Sequence, residues 1–367
     1  MNIFLVSNMY PSKADPGSAV FVKNFEQAMI KQGVIFTAKA VMKGLSYVKL
    51  FQFLRYVNLY IKIITEGLVK KYDFLYVHFI SHSTVAVYVV SLIRNKTIVF
   101  NVHGNDLIAK NLINRFSRSL IDKLIVKNRI KAFVVPSEFF KNKLCDRFNT
   151  TNLKVIISPS GGIDLKNFKV KDKEEIKKDN GYRNDFIIGY VSRIENNKGW
   201  RLFVRLVQRL NKSGINTKGI IAGTGSEINE LKQEIVNMNL SNHIDYLGTI
   251  NQQKLTYVYN KMDVFIFPTL ANESLGLVGI EAMACGTIVI GSDIGGIRSY
   301  LEDGKNGYLF KTNEFDDLVQ HTKEFYSKSK QEKDKLYLNA IKTAERFDKH
   351  KVTSDLIKQL RNLYEEK

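Results

Sequence analysis

One stretch of the chain predicts the fold: residues 264–291 read VFIFPTLANESLGLVGIEAMACGTIVIG. Two short runs rich in β-branched and aromatic residues, Val264–Phe267 and Thr287–Gly291, flank a helical segment that begins around Leu275–Leu277. This order of strand, loop, helix and strand is typical of a βαβ unit in a parallel sheet. In such sheets ligands bind at the carboxyl ends of the strands, so the loop after Phe267 is a candidate site.

The same alternation of strands and helices runs along nearly the whole sequence. In the first half we predict strands near Ile3–Ser7, Ile35–Val41, Phe74–His78, Thr97–Val102, Phe133–Pro136 and Val155–Ser158. In the second half the earlier strands are Phe186–Val191, Gly219–Ala222 and Ile244–Leu247. We therefore predict an α/β protein with two Rossmann-like, doubly wound parallel-sheet domains that face each other across a cleft. Their expected bounds are residues 1–165 and 166–351, with a C-terminal helix, about 352–367, packing back on the first domain.

Composition places the chain among soluble globular proteins, with 44% hydrophobic and 25% charged residues. The longest apolar run, around Val85–Val90, is far shorter than the ~20 residues of a transmembrane helix. The two cysteines, Cys145 and Cys285, have no metal-binding or redox spacing. No basic leader precedes the first predicted strand. We therefore expect a cytoplasmic protein.

The distribution of charge is unusual. Residues 1–165 hold 23 Lys and Arg against 9 Asp and Glu, which is most of the net charge of +19. Such an excess indicates a polyanion or an anionic membrane as partner, although a solvated basic surface is the simpler alternative.

A helical pattern within residues 45–71 adds to the membrane hypothesis. Its apolar stripe, expected to pack on the first sheet, consists of Leu50, Leu54, Val57, Ile61, Ile64 and Leu68. Cations project from the other side of the helix among Tyr56, Leu59 and Tyr60; they are Lys49, Arg55, Lys62 and Lys70. We predict peripheral binding to the inner face of the plasma membrane.

Two glutamates, Glu273 and Glu281, follow the strand that ends at Pro268. The start of the predicted helix offers unpaired N–H groups and a positive dipole end, which suit a phosphate group. Gly276 lets a ligand approach the backbone closely. Carboxylates accept several hydrogen bonds, so this pair suits the hydroxyl groups of sugars. The alternative is one solvent-facing loop glutamate and one structural helix glutamate.

A second loop, after the strand Phe186–Val191, carries Arg193 and Lys198. A guanidinium fork and an ammonium group at the edge of a sheet can neutralise a pyrophosphate leaving group. The spacing alone has no specificity, because any protein surface supplies an arginine and a lysine five positions apart.

Taken together, these segments resemble the retaining GT-B glycosyltransferases of glycosyltransferase family 4 over almost the whole chain. The resemblance rests on Glu273-x7-Glu281 and Arg193-x4-Lys198. Further similar segments are Tyr10–Lys23, Asn101–Asp106, Ser158–Asp164, Gly223–Gly225 and Leu247–Thr249. Two positions depart from the family pattern: Ser192 stands where a glycine is usual, and Gly161 where an asparagine is usual.

The resemblance implies a retaining hexosyltransferase. It would move a hexose or N-acetylhexosamine from a nucleotide-sugar, in our prediction a UDP-sugar, to a glycan or lipid-linked saccharide acceptor in cell-surface polysaccharide biosynthesis. The first domain would bind the acceptor and the second the donor. The implied catalytic residues are His103, Arg193, Lys198 and Glu273. The implied donor-binding residues are Gly17, Asp106, Gly223, Gly248, Thr249, Ser274, Leu275, Gly276, Leu277, Val278 and Glu281.

The resemblance also implies that no cofactor or metal ion is required. The sequence contains no Asp-x-Asp motif, and the basic pair can stabilise the charge that a divalent cation would otherwise stabilise. Two other functions stay open: a nucleotide-sugar epimerase or phosphorylase with the same architecture, and a basic nucleic-acid-binding protein. No helix-turn-helix, zinc or RNA-recognition pattern occurs, so we expect no nucleic-acid partner.

Overall fold

The computed structural model describes residues 1–12, 19–44, 48–104, 107, 112–148, 153–179, 181, 182 and 185–365. Within it the chain forms two compact units. Unit 1 comprises Met1–Gly162 together with Lys349–Lys367, and unit 2 comprises Ile163–Asp348.

Unit 1 is built on a six-stranded parallel sheet of order β2-β1-β3-β4-β5-β6. Its strands are β1 (Asn2–Tyr10), β2 (Ile35–Lys43), β3 (Phe74–His78), β4 (Thr97–Asn101), β5 (Ile130–Val135) and β6 (Lys154–Ile157). Its connecting helices are α1 (Val20–Lys31), α2 (Lys49–Val69), α3 (Ser83–Ile93), α4 (Leu112–Val126) and α5 (Glu138–Phe148). Strand β3 is buried along its whole length because helices cover both faces of a parallel sheet.

Unit 2 repeats this architecture with the strand order β12-β11-β10-β7-β8-β9, again all parallel. Its strands are β7 (Phe186–Val191), β8 (Thr217–Ala222), β9 (Ile244–Tyr246), β10 (Val264–Phe267), β11 (Ile288–Ser292) and β12 (Gly307–Phe310). Its helices are α6 (Lys173–Asp179), α7 (Trp200–Lys212), α8 (Ile228–Asn237), α9 (Gln252–Lys261), α10 (Leu277–Ala284), α11 (Phe315–Ser327) and α12 (Lys330–Glu345).

All eleven strands predicted from the sequence are confirmed, and α10 begins where the helix was predicted. The sequence analysis missed β12, which has four residues and lies at the edge of its sheet. Such a short edge strand carries little periodic signal.

The last helix, α13 (Lys349–Glu365), belongs to unit 1. Its apolar side packs in one core cluster with Ile3 and Leu5 of β1; the helix contributes Leu356, Ile357, Leu360 and Leu363. The chain therefore leaves unit 1 after β6 and returns to it at its C-terminal end. In the described part of the chain, no helix combines the length and the apolar character needed to cross a bilayer.

The prediction for α2 was wrong about which side packs on the sheet. Four members of the predicted stripe are exposed: Leu50, Leu54, Val57 and Ile61. The buried residues of the helix are instead Leu59, Ile63 and Gly67. Both sides of α2 are apolar, so spacing alone fits either orientation. Contacts with α3 decide it, because a Cβ added at Gly67 would lie 2.8 Å from Cγ2 of Val90.

Candidate active site

The strand order of unit 2 defines a topological switch point. From β7 the chain builds the sheet outward through β8 and β9, and then returns to the other side of β7 with β10. The loops after β7 and β10 therefore leave the same edge of the sheet in opposite directions. Ligands of open α/β sheets bind in the crevice between two such loops.

Lys198 and Glu273 meet in this crevice although they are 75 residues apart. The Nζ atom of Lys198 lies 2.5 Å from Oε1 of Glu273, and their side chains are 13% and 18% exposed. The hydroxyl of Thr269 donates a second hydrogen bond, of 3.0 Å, to the same carboxylate oxygen. Partial burial makes this ion pair stronger than one on the surface. The structure thus brings together two of the predicted catalytic residues.

Arg193 is placed differently from Lys198. Its guanidinium group contacts Glu195 of the same loop at 2.8 Å, and its side chain is 64% exposed. Solvent screens such a pair, so the arginine can turn towards a ligand at little energetic cost.

At Gly199 the loop after β7 packs closely against the end of β10. Its φ is +71°, and a Cβ at this position would lie 1.8 Å from the carbonyl oxygen of Pro268. A side chain there would displace one of the two loops. The glycine therefore allows the close approach that places Lys198 beside the loop carrying Glu273.

Gly223, at the end of β8, shows a second close approach. Its φ is +141°, and a Cβ would lie 1.8 Å from the carbonyl oxygen of Ser192, the residue before Arg193. Its N–H donates a 2.8 Å hydrogen bond to the carbonyl of Gly248, which follows β9. The predicted residues Gly223, Gly248 and Thr249 thus lie in loops at the carboxyl ends of β8 and β9.

Helix α10 starts at the same edge of the sheet. Gly276 precedes it, and its carbonyl accepts hydrogen bonds from the Tyr300 hydroxyl (3.2 Å) and from the N–H of Gly279 (3.0 Å). Leu277 and Val278 form the first turn, where backbone N–H groups have no carbonyl partner within a helix. Ser274 and Leu275 belong to the loop just before this turn, and Leu275 is buried.

Glu281 lies one turn further along α10 and is 7% exposed. The hydroxyl of Tyr259 in α9 donates a 3.0 Å hydrogen bond to its Oε2 atom. Burial raises the pKa of Glu281 to about 7, although hydrogen bonds from Tyr259 and Gln252 oppose the shift. Near neutral pH this carboxyl group can therefore gain or lose a proton.

Sequence reasoning missed a turn that supports Glu273. This 3₁₀ turn, Gly295–Ser299, follows β11, and the N–H of Gly296 donates a 2.9 Å hydrogen bond to the carbonyl of Glu273. A pair of glycines just after a buried strand, at the ligand-binding edge, was the signal that could have identified it. Thr269 was also missed, because a hydroxyl in a loop has no distinctive pattern.

His103 belongs to unit 1, two residues beyond the end of β4. Its ring lies 4.8 Å from that of Phe21 and 4.5 Å from that of Phe79. Its Nε2 atom is 2.9 Å from Nδ1 of His78, a residue at the end of β3 that the sequence analysis did not select. Burial lowers the pKa of His103 to about 3, so its imidazole is neutral at physiological pH. The predicted residues Gly17 and Asp106 lie outside the described residues.

Comparison with known proteins identifies the family of the chain. The model of the family described as glycosyl transferases group 1 matches residues 172–364, just over half of the chain. The chain belongs to this family.

Similar members of the group 1 glycosyltransferases include the D-inositol 3-phosphate glycosyltransferase of Mycobacteroides abscessus. It is 32% identical over 158 residues, which are 42% of this chain and 35% of that protein. The GPI3 subunit of the Saccharomyces cerevisiae phosphatidylinositol N-acetylglucosaminyltransferase is 27% identical over 155 residues, or 42% of this chain and 34% of its own. The match thus spans about a third of the length of these relatives.

Solved structures resemble this chain over its whole length. Anabaena HepE, in complex with UDP and glucose, has a TM-score of 0.77 and 19% identity over 99% of this chain and 100% of its own. Sucrose-phosphate synthase from Thermosynechococcus elongatus has a TM-score of 0.79 and 16% identity, with both chains fully covered. At these identities the likeness shows the fold alone, which is the predicted two-domain GT-B architecture.

Proposed function

We propose that this chain is a retaining glycosyltransferase that uses a UDP-sugar. It would transfer a hexose or N-acetylhexosamine to a glycan or lipid-linked saccharide in cell-surface polysaccharide biosynthesis. The observation that carries the proposal is the Lys198–Glu273 pair at the switch point of unit 2, beside the start of α10. The UDP-bound relative with the same fold supports the choice of nucleotide.

The diphosphate would lie against the first turn of α10. There the N–H groups of Leu277 and Val278 and the positive end of the helix dipole favour an anion. Lys198 would add a positive charge from the loop after β7, and the exposed Arg193 would turn inward to join it. As the bond to the sugar breaks, negative charge builds on the diphosphate, and these groups would stabilise it.

Three side chains and two loops complete the proposed donor site. The carboxylate of Glu281 would accept hydrogen bonds from the ribose hydroxyls. Glu273 would accept them from the transferred sugar while it continues to hold Lys198. His103, neutral at physiological pH, would serve as an uncharged hydrogen-bonding partner for a sugar hydroxyl. The loops of Gly223 and Gly248 would provide backbone contacts to the base.

The first experiment on this proposal is a thermal-shift screen with UDP, GDP and ADP and their sugar conjugates. We expect UDP or a UDP-sugar to raise the melting temperature most, because a ligand at 100 times its Kd stabilises a protein by ~2.7 kcal/mol. Release of free UDP should then depend on an added saccharide acceptor. UDP-sugar interconversion without an acceptor would indicate an epimerase instead, and no stabilisation by any nucleotide would contradict the proposed donor class.

A second expectation concerns metal ions. If Lys198 and Arg193 supply the charge that a metal would supply elsewhere, turnover should be unchanged after treatment with EDTA. The measurement is UDP release before and after chelation, with MgCl2 or MnCl2 added back to a parallel sample. Loss of turnover in EDTA that either cation restores would contradict the assignment.

A further inference from the structure

Helix α2 exposes a row of large apolar side chains to solvent. This row, here called the outer stripe, consists of Leu50, Phe53, Leu54, Val57 and Ile61, which are between 36% and 64% exposed. Their spacing places them side by side on the helix, over a length of about 17 Å. The opposite side of α2 carries the buried residues Leu59, Ile63 and Gly67. Helix α2 thus has two apolar faces, and the described residues cover only one of them.

The surroundings of the outer stripe are basic. Lys49 begins α2, and Arg55 and Lys62 lie on its exposed flank; all three are solvent-exposed. Glu66 is the only carboxylate in the 21 residues of the helix.

We propose that the outer stripe of α2 docks on an anionic lipid bilayer. An amphipathic helix with a cationic flank lies in the plane of a membrane interface, its apolar side chains among the acyl chains and its cations at the head groups. Charge complementarity favours an anionic bilayer over a second copy of the chain as the partner of this surface. A second copy of the chain would bring two basic surfaces together, whereas an anionic bilayer attracts both the stripe and its flank.

This inference goes beyond the proposed function, because docking on lipid needs neither donor nor acceptor. It also differs from the expectation drawn from the sequence. The sequence predicted that the cationic side of α2 would face the membrane and that its apolar stripe would pack on the sheet. In the structure the apolar stripe itself is exposed to solvent, so membrane binding should depend on apolar contacts as well as on charge.

The test is sedimentation with large unilamellar vesicles, either of phosphatidylcholine alone or of equal parts of phosphatidylcholine and phosphatidylglycerol. The variant carries Leu54→Gln and Ile61→Gln. The matched control carries Val236→Gln and Leu338→Gln, two aliphatic residues of unit 2 that are 62% and 58% exposed. Because all four residues are exposed, both variants should keep the wild-type melting temperature.

We expect the α2 variant to bind the anionic vesicles about tenfold more weakly than wild type, and the control to change less than twofold. Wild-type binding should be weaker on neutral vesicles and should decline as NaCl is added. Lys49→Gln, Arg55→Gln and Lys62→Gln together should remove most of the difference between the two lipid mixtures.

A fluorescence measurement reports on the stripe directly. The single native tryptophan, Trp200, is buried in unit 2, so a Phe53→Trp variant adds the only exposed indole. Anionic vesicles should shift its emission to shorter wavelength. Equal binding by wild type and the α2 variant would overturn the proposal. So would a wild-type dimer in solution that the Leu54→Gln, Ile61→Gln variant converts to monomer, because the occupant would then be a second copy.

Discussion

Lys198→Ala is expected to lower turnover of the UDP-sugar by about 100- to 1000-fold. This is the usual effect of removing one preorganised hydrogen-bond donor that stabilises developing negative charge. Lys198 is largely buried and held by Glu273 at 2.5 Å, so its ammonium group is positioned before the donor binds. An interaction with the developing charge of the diphosphate is stronger in the transition state than in the ground state. The loss should therefore fall mainly on kcat.

Two controls separate this role from a structural one. Lys198→Arg keeps the positive charge next to Glu273 and should retain more turnover than the alanine variant. Lys212→Ala removes an exposed lysine from the end of α7 in the same unit and should leave turnover unchanged. The melting temperature of each variant is measured in parallel, because removing Lys198 leaves a partly buried carboxylate without its cation. Near wild-type kcat in a folded Lys198→Ala variant would remove the main support for the proposed function.

Arg193→Ala should have a smaller effect, about tenfold, because the side chain is 64% exposed and solvent screens its charge. The double variant should lose less than the product of the two single losses, since both groups would act on one diphosphate. Strictly multiplicative losses would indicate that the two residues act independently.

The sequence was sufficient to predict the fold class and eleven of the strands because its local signals agree with one another. Val264–Phe267 and Ile288–Ser292 are buried along their whole length and are mostly apolar, as expected for strands of a parallel sheet covered on both faces. Loops with glycine and polar residues separate them from the helices. The strand order of unit 2 does not follow from these local signals, yet it is what brings the loops after β7 and β10 together.

The candidate site was predictable in part. The resemblance to the family pattern identified Lys198 and Glu273, but not that they contact each other, since the contact depends on how closely Gly199 approaches Pro268. The sequence also could not show which apolar side of α2 is buried. That choice depends on packing between Gly67 and Val90, two residues in different helices.

UDP affinity is expected to fall about 25-fold between pH 7.5 and pH 5.5, because Glu281 must be ionised to accept hydrogen bonds from the ribose. Burial raises the pKa of this carboxyl to about 7 in the empty protein. The ribose hydroxyls would favour the carboxylate, so the bound state would have a lower pKa. Affinity should then level off above about pH 8 and weaken by up to tenfold per pH unit well below pH 7.

Calorimetric titration with UDP across this pH range measures the effect. The terminal phosphate of UDP also titrates near pH 6, so Glu281→Gln is the necessary control. The pH dependence of UDP affinity that remains in Glu281→Gln is due to titration of the ligand. The difference in pH dependence between wild type and this variant is due to Glu281. Tyr259→Phe removes the 3.0 Å hydrogen bond to Oε2 that favours the carboxylate, so it should move the midpoint of the wild-type curve to higher pH. If wild type and Glu281→Gln show the same pH dependence, Glu281 does not bind the ribose as a carboxylate. The proposed donor geometry would then need another partner for those hydroxyls.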